Sequence, residues 1–133
     1  MRPGRRNAVT VLVAFLVMAA RSEPITTVQH EPVPPVVTRK LSDDQFTRLL
    51  ADAAMQKGWR PQALAPGQIR ARLTIRSKHF LTVDILYNRE SYSIVVIGSE
   101  ALNEGDGRIH PAANKAIREL QDAIQAALSR EAF

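Results

Sequence analysis

The sequence predicts an α+β domain: an antiparallel meander of three to four strands, flanked by an N-terminal and a C-terminal helix packed on one face. Three observations predict it. Residues 68–76, 80–87 and 91–98 read as strands separated by two short polar turns. A capping signal and an apolar stripe mark a helix after Leu41, and a second stripe at helical spacing follows Pro111.

Residues 1–22 read as a cleavable signal peptide. Arg2, Arg5 and Arg6 give a positive start, and the thirteen residues from Ala8 to Ala20 are apolar apart from Thr10. Ala20-Arg21-Ser22 fits a small-x-small cleavage site before Glu23. A run of this length falls short of the ~20 residues that a spanning helix needs. The alternative reading of the same run is an uncleaved anchor. Cysteine is absent, which excludes disulfides, thiol chemistry and lipid attachment at a cysteine. The expected location is therefore periplasmic or secreted, with no transmembrane span in the mature chain.

The leader also changes the meaning of the basic charge. The whole chain carries 18 Lys+Arg against 13 Asp+Glu. Arg2, Arg5, Arg6 and Arg21 precede Glu23 and no acid does, so the rest carries 14 against 13, a net charge of +1. That balance argues against a nucleic-acid partner.

Residues 23–40 hold Pro24, Pro32, Pro34 and Pro35, a composition that predicts an extended tether. Val36-Val37-Thr38 could add a short edge strand. Residues 41–133 then form one domain with a modest core.

The first helix has clear start signals. Ser42 is the expected N-cap, and Gln45 three residues later completes a capping box. Leu41 and Phe46 occupy the two positions of a hydrophobic staple, and Asp43 and Asp44 suit the positive end of the helix dipole. Phe46, Leu49, Leu50 and Ala53 make the apolar stripe, and Gly58 is the expected stop. Residues 59–64 suggest a short strand, which Pro61 confines to an edge or a strand start. Pro66-Gly67 is a turn.

In the meander, Ile69, Ala71, Leu73 and Ile75 alternate with Arg70, Arg72, Thr74 and Arg76, the period of a strand with one buried and one wet face. Leu81, Val83, Ile85 and Tyr87 form the inward set of the next strand, and Tyr92, Ile94 and Val96 that of the third. Pairing Ile75 with Leu81 leaves Ser77-Lys78-His79 as the turn and places Arg72 opposite Asp84, an exposed pair worth roughly 0–1 kcal/mol. Pairing Tyr87 with Tyr92 leaves a turn over residues 88–91. Residues 99–109 read as a loop. Pro111 then opens a helix whose buried stripe is Ala113, Ile117, Leu120, Ile124 and Leu128.

Gly58-Trp59, Gly67-x-Ile69-x-Ala71-x-Leu73, His79, Val83-Asp84-Ile85-x-Tyr87 and Tyr92-Ser93-Ile94 resemble a family of small exported proteobacterial proteins often labelled hypothetical lipoproteins. Ser99, Leu102, Ile109-His110, Asn114, Ile117 and Leu120 extend the resemblance, which covers about residues 41–128. The chain departs from the pattern at Ala113 and Ala116, where the family has aromatic residues, and in lacking the lipid-bearing cysteine. The resemblance implies an envelope location and brings no activity with it.

Catalytic and cofactor motifs are absent. There is no nucleophile elbow, phosphate loop or dinucleotide fingerprint. His30, His79 and His110 lack metal-ligand spacing, so no metal or cofactor is expected. His110 reads as a cap of the last helix. Residues 103–107 have the composition of a calcium loop without its spacing.

The pointed surface feature is Arg70, Arg72 and Arg76 on one strand face, with Lys78 and Phe80 close by. Leu86, Val95 and Ile97 fall on the same side, and Asp84 and Glu90 offset part of the charge. A face mixing arginine with large apolar residues suits a non-enzymatic binding module for an envelope protein or an anionic envelope component. One alternative is a small hydrolase or metal-dependent enzyme built from His79, Asp84 and His110. Another is a structural homodimer formed by strand addition at the third strand.

Overall fold

The computed structural model describes residues 23–76, 78–100 and 108–133. The expected signal peptide, its cleavage site and the glycine-bearing segment 103–107 lie outside the described residues. In order the elements are β1 (Glu23–Pro24), β2 (Val28–Pro32), α1 (Pro35–Lys40), α2 (Asp43–Gln56), β3 (Arg60–Ala65), β4 (Gln68–Ile75), β5 (His79–Tyr87), β6 (Ser91–Glu100), β7 (Arg108–Ile109) and α3 (Pro111–Ala132).

The fold is α+β, as the alternation predicts. A five-stranded antiparallel sheet has the order β2-β6-β5-β4-β3, and β1 pairs with β7 in a separate two-stranded ribbon. Ile69 and Ala71 of β4, Leu81, Val83 and Ile85 of β5, and Tyr92 and Ile94 of β6 are buried. They share one core with Phe46, Leu50 and Ala53 of α2 and with Ala113, Ile117, Leu120, Ile124 and Leu128 of α3. Each fully buried Leu or Ile contributes about 1.5–3 kcal/mol, so these two stripes hold the helices to the sheet. Tyr92 adds a polar lock: its Oη accepts from Gln125 Nε2 of α3 at 2.6 Å.

Both ends of α2 follow from local chemistry. Ser42 Oγ accepts from the Gln45 N–H at 3.1 Å, and Gln45 Oε1 accepts from the Ser42 N–H at 2.8 Å, completing the capping box. At the other end Gly58 adopts φ +85, a left-handed conformation that costs a glycine little. The Gly58 N–H reaches the Met55 carbonyl at 3.0 Å and the Trp59 N–H reaches the Ala54 carbonyl at 3.1 Å. These two bonds form a Schellman motif, which satisfies carbonyls that the helix end would otherwise strand.

Residues 23–40 are folded rather than an extended tether. Val28, Val33 and Val37 are buried, and β2 pairs with β6 through Val28↔Ile94 and Glu31↔Tyr92. Composition favours extension, but extension also suits a strand, and three valines supply enough apolar surface to dock it. Val36-Val37-Thr38 is helical rather than an edge strand, because Pro35 stands at the first turn of α1. The β2 pairing covers β6 from Ser91 to Ile94, so strand addition is closed along that half of the strand. The true edges carry breakers: β2 has Pro32 and a bulge in which His30 takes φ +50, and β3 has Pro61 and a bulge between Ala63 and Ala65.

In the β4–β5 hairpin Ile75 pairs with His79, not Leu81, so the chain reverses two residues earlier than expected. A shift by two residues preserves the inward and outward sets, since side chains alternate with period two. The Tyr87–Tyr92 pairing is as expected. Asn88 fixes that turn, its Oδ1 accepting from the Glu90 and Ser91 N–H groups at 2.8 and 2.9 Å.

Candidate functional site

The register lays out the face of the sheet opposite α2 and α3 in rows. One row is Gln62, Arg70, Asp84 and Val95; the next is Arg60, Arg72, Thr82 and Gly98; then come Thr74 and Phe80. Leu86 is 41 % exposed on this face, and Ile97, 48 % exposed, is the extra residue of a bulge in β6 between Val96 and Gly98.

The three arginines expected to form one stripe have three different roles. Arg70, not Arg72, stands opposite Asp84, because the hairpin turns two residues earlier. Arg70 Nε donates to Asp84 Oδ1 at 2.8 Å and Nη2 to Oδ2 at 3.1 Å, a bidentate pair that Gln68 Nε2 completes at 3.0 Å. Asp84 is buried, and the hydrogen-bonded Arg70 guanidinium holds its carboxyl below the usual carboxylate range, against the opposing effect of burial and with help from Gln68. Arg72 lies over the Phe80 ring, 4.2 Å from its centroid. Arg76 leaves the strand: β4 ends at Ile75, and Arg76 takes φ +53 in the turn. Lys78 is exposed in the same turn.

Arg60 is the residue that sequence reasoning misses. A two-residue Pro66-Gly67 turn read without irregularity pairs Arg60 with Leu73 and sends it inward. The bulge at Leu64 moves the register by one, so Arg60 pairs with Arg72 and faces outward. Arg60, Arg72, Thr74 and Phe80, with Gly58, line a pocket of about 240 Å³.

Asp84 does not share a site with His79. His79 and Asp84 lie an odd number of residues apart on β5 and so point to opposite faces. Asp84 is committed to Arg70 and Gln68. His110 caps α3, its Nδ1 accepting from the Ala112 N–H at 3.1 Å. The His79 Nδ1 is buried with no hydrogen-bond partner among the described residues. Among the described residues no group of three or more His, Asp or Glu side chains is arranged to hold a metal ion, and no helix is long and apolar enough to cross a membrane.

A larger cleft of about 630 Å³ opens at the other end of β5, between the start of α2 and the two hairpin turns. Its polar groups do structural work. Arg89 Nη2 bonds Asp43 at 2.7 Å while Nη1 bonds the Thr38 carbonyl at 2.8 Å, tying the end of α1 to the start of α2. Thr47 Oγ1 and Tyr87 Oη are 2.6 Å apart, and Phe46 meets the Tyr87 ring edge-on.

Comparison of the chain with protein-family models, with curated proteins and with solved structures finds no match.

Proposed function

We propose that the protein is an exported, non-enzymatic binding module of the bacterial cell envelope, which holds an anionic envelope component on the uncovered face of its sheet. One observation carries this reading: the described helices cover a single face, while the other presents Arg60 and Arg72 and, two rows along, exposed Leu86, with exposed Ile97 at the bulge of β6. Cationic groups on a partly apolar face suit recognition better than a solvated surface, where large side chains gain nothing by exposure. The layout of residues 1–22 supports export, and the resemblance read in the sequence supports the same location. An enzyme reading has less support, since Asp84 faces away from His79 and is held by Arg70 and Gln68, while His110 caps α3.

The test is co-sedimentation of the protein, recovered from its own cells, with isolated envelope fractions at low and high salt. Binding should weaken with salt and be lost in Arg60→Glu and in Ile97→Asp, while Lys115→Glu, on an exposed position of α3, retains it. Binding that tolerates both face variants would sink the assignment.

A further inference from the structure

We infer that the free edge of β3 and the facing side of α2 form a groove for an extended segment of a partner protein, which adds one short strand beside Ala63. This surface is separate from the arginine-bearing sheet face. The Tyr87 N–H donates to the Gly67 carbonyl, so Gln68 and Leu86 are a pair whose backbone groups turn away from each other. Along the register, Gln68 and Arg70 then bond toward β3, through Ala65 and Gln62, while Ile69 and Ala71 bond toward β5. Ala63 and Pro61, opposite Ile69 and Ala71, therefore turn their backbone groups outward. Pro61 suits that position because it has no N–H to give to the ladder. The Ala63 N–H, the Ala63 carbonyl and the Pro61 carbonyl bond to no described residue. Pro61 and the bulge at Leu64 bound this edge on either side of Ala63, which stops open-ended sheet growth and leaves space for one short segment.

Ala63 is directly opposite buried Ile69 and shares its face, so a strand residue that exchanges both bonds with Ala63 sends its side chain toward α2. A hollow already lies there. The cleft of about 630 Å³ beside Phe46, Thr47 and Tyr87 meets a second one of about 460 Å³ at Asp44 and Thr47, and Ala51, Met55 and Pro61 continue its wall. The groove is open because small side chains line both sides, Pro61 and Ala63 on β3 and Thr47 and Ala51 on α2. Met55, 52 % exposed, stands at its far end. Such a lining takes an apolar side chain. Charge selects a basic neighbour. Asp44, Arg48 and Asp52 stand on the α2 rim, two carboxylates against one guanidinium, and none is in an ion pair with a described residue. Asp43 and Arg89 already offset each other. A segment with an apolar residue opposite Ala63 and a lysine or arginine two positions away places both side chains on the groove side.

The test titrates the protein, purified from cells expressing the full chain, with capped five-residue peptides that carry leucine at the centre and lysine at one end, in both sequence orders. Backbone NMR shifts and amide exchange are followed. One order is expected to give saturable shifts at Thr47, Ala63 and Tyr87 and slowed exchange of the Ala63 amide. N-methylation of the central leucine should weaken binding about tenfold or more, because it removes the main-chain donor. Replacing the peptide lysine by glutamate should weaken it about fivefold, and Asp52→Lys, at an exposed position of α2, should reverse that preference. Ala63→Pro removes a donor that the sheet does not use and should abolish binding, while Lys115→Gln leaves it unchanged. Absence of saturable shifts with either order, or binding that tolerates N-methylation, overturns the groove as a strand-addition site. Self-association that protects the Ala63 amide without any peptide also overturns it, by assigning the edge to a second copy.

Discussion

Asn114, in the first turn of α3, donates its Nδ2 to the Pro24 carbonyl at 2.7 Å and accepts the Thr26 N–H on its Oδ1 at 2.7 Å. A third bond, from Nδ2 to Glu23 Oε1 at 3.1 Å, makes this buried amide the clasp of the N-terminal segment. Replacement by leucine would leave a backbone donor and a backbone acceptor without partners, at about 1–3 kcal/mol each. Asn114→Leu should therefore lower the denaturant midpoint and speed hydrogen exchange at Thr26. Unchanged exchange at that amide would show that the segment is held by something else.

Gly67 is the second position where one atom decides. Its φ is +80, and a Cβ placed there would stand 2.7 Å from the Tyr87 carbonyl oxygen. The Tyr87 N–H also donates to the Gly67 carbonyl at 2.9 Å, so the turn cannot swing away without losing that bond. Gly67→Ala should destabilise the fold by about 1–3 kcal/mol, read in chemical denaturation. A neutral result would mean that the β3–β4 turn re-forms.

Much of the architecture is legible in the sequence, and the failures share one cause. Period-two alternation in residues 68–98 and the capping box at Ser42 depend on neighbours close in the chain, so they can be read locally. The α3 stripe and the His110 cap are legible for the same reason. Register is not local. The β4–β5 turn slips by two residues because Arg76 takes a left-handed conformation, and Arg60 reaches the outer face only through the bulge at Leu64. The Arg70–Asp84 pair and the Arg60–Arg72 pair both follow from those irregularities. Docking of β2 onto β6 was hidden by proline content, since proline marks an edge strand as well as a linker.

The Asp84 carboxyl gives a pH signature. An acid whose folded pKa is lowered contributes stability that is complete above the unfolded value of ~3.9 and is lost as pH falls through its folded value. The bonded Arg70 guanidinium is the main cause of that lowering. Asp84→Asn should lower the thermal midpoint at neutral pH, with the gap from the unaltered protein closing as pH drops below ~4. A gap that stays constant with pH would mean that the carboxylate charge does not matter to folding.

Tyr92 acts at the other end of the scale. Burial pushes its phenol up to about 12, despite the opposing Gln125 hydrogen bond. The fold favours the neutral phenol, so this contribution is complete below ~10 and is lost as pH rises from there toward the folded value. Phenolate absorbance should show one tyrosine ionising only as the protein unfolds in alkali. Tyr92→Phe should remove that step; if the late step persists, it belongs to another group.

The paired start of the fold at Glu23 bears on how far the proposed binding module could search, if residues 1–22 are the proposed leader. Only Arg21 and Ser22 separate Glu23 from the apolar run that ends at Ala20. Two residues reach roughly 7 Å at full extension. A copy that kept its leader in a bilayer would lie flush against the lipid and search in two dimensions. A processed copy would diffuse through the whole compartment. Cleavage before Glu23 would thus set the search volume as well as the mass of the product, and a linker inserted between Ser22 and Glu23 would separate those two effects.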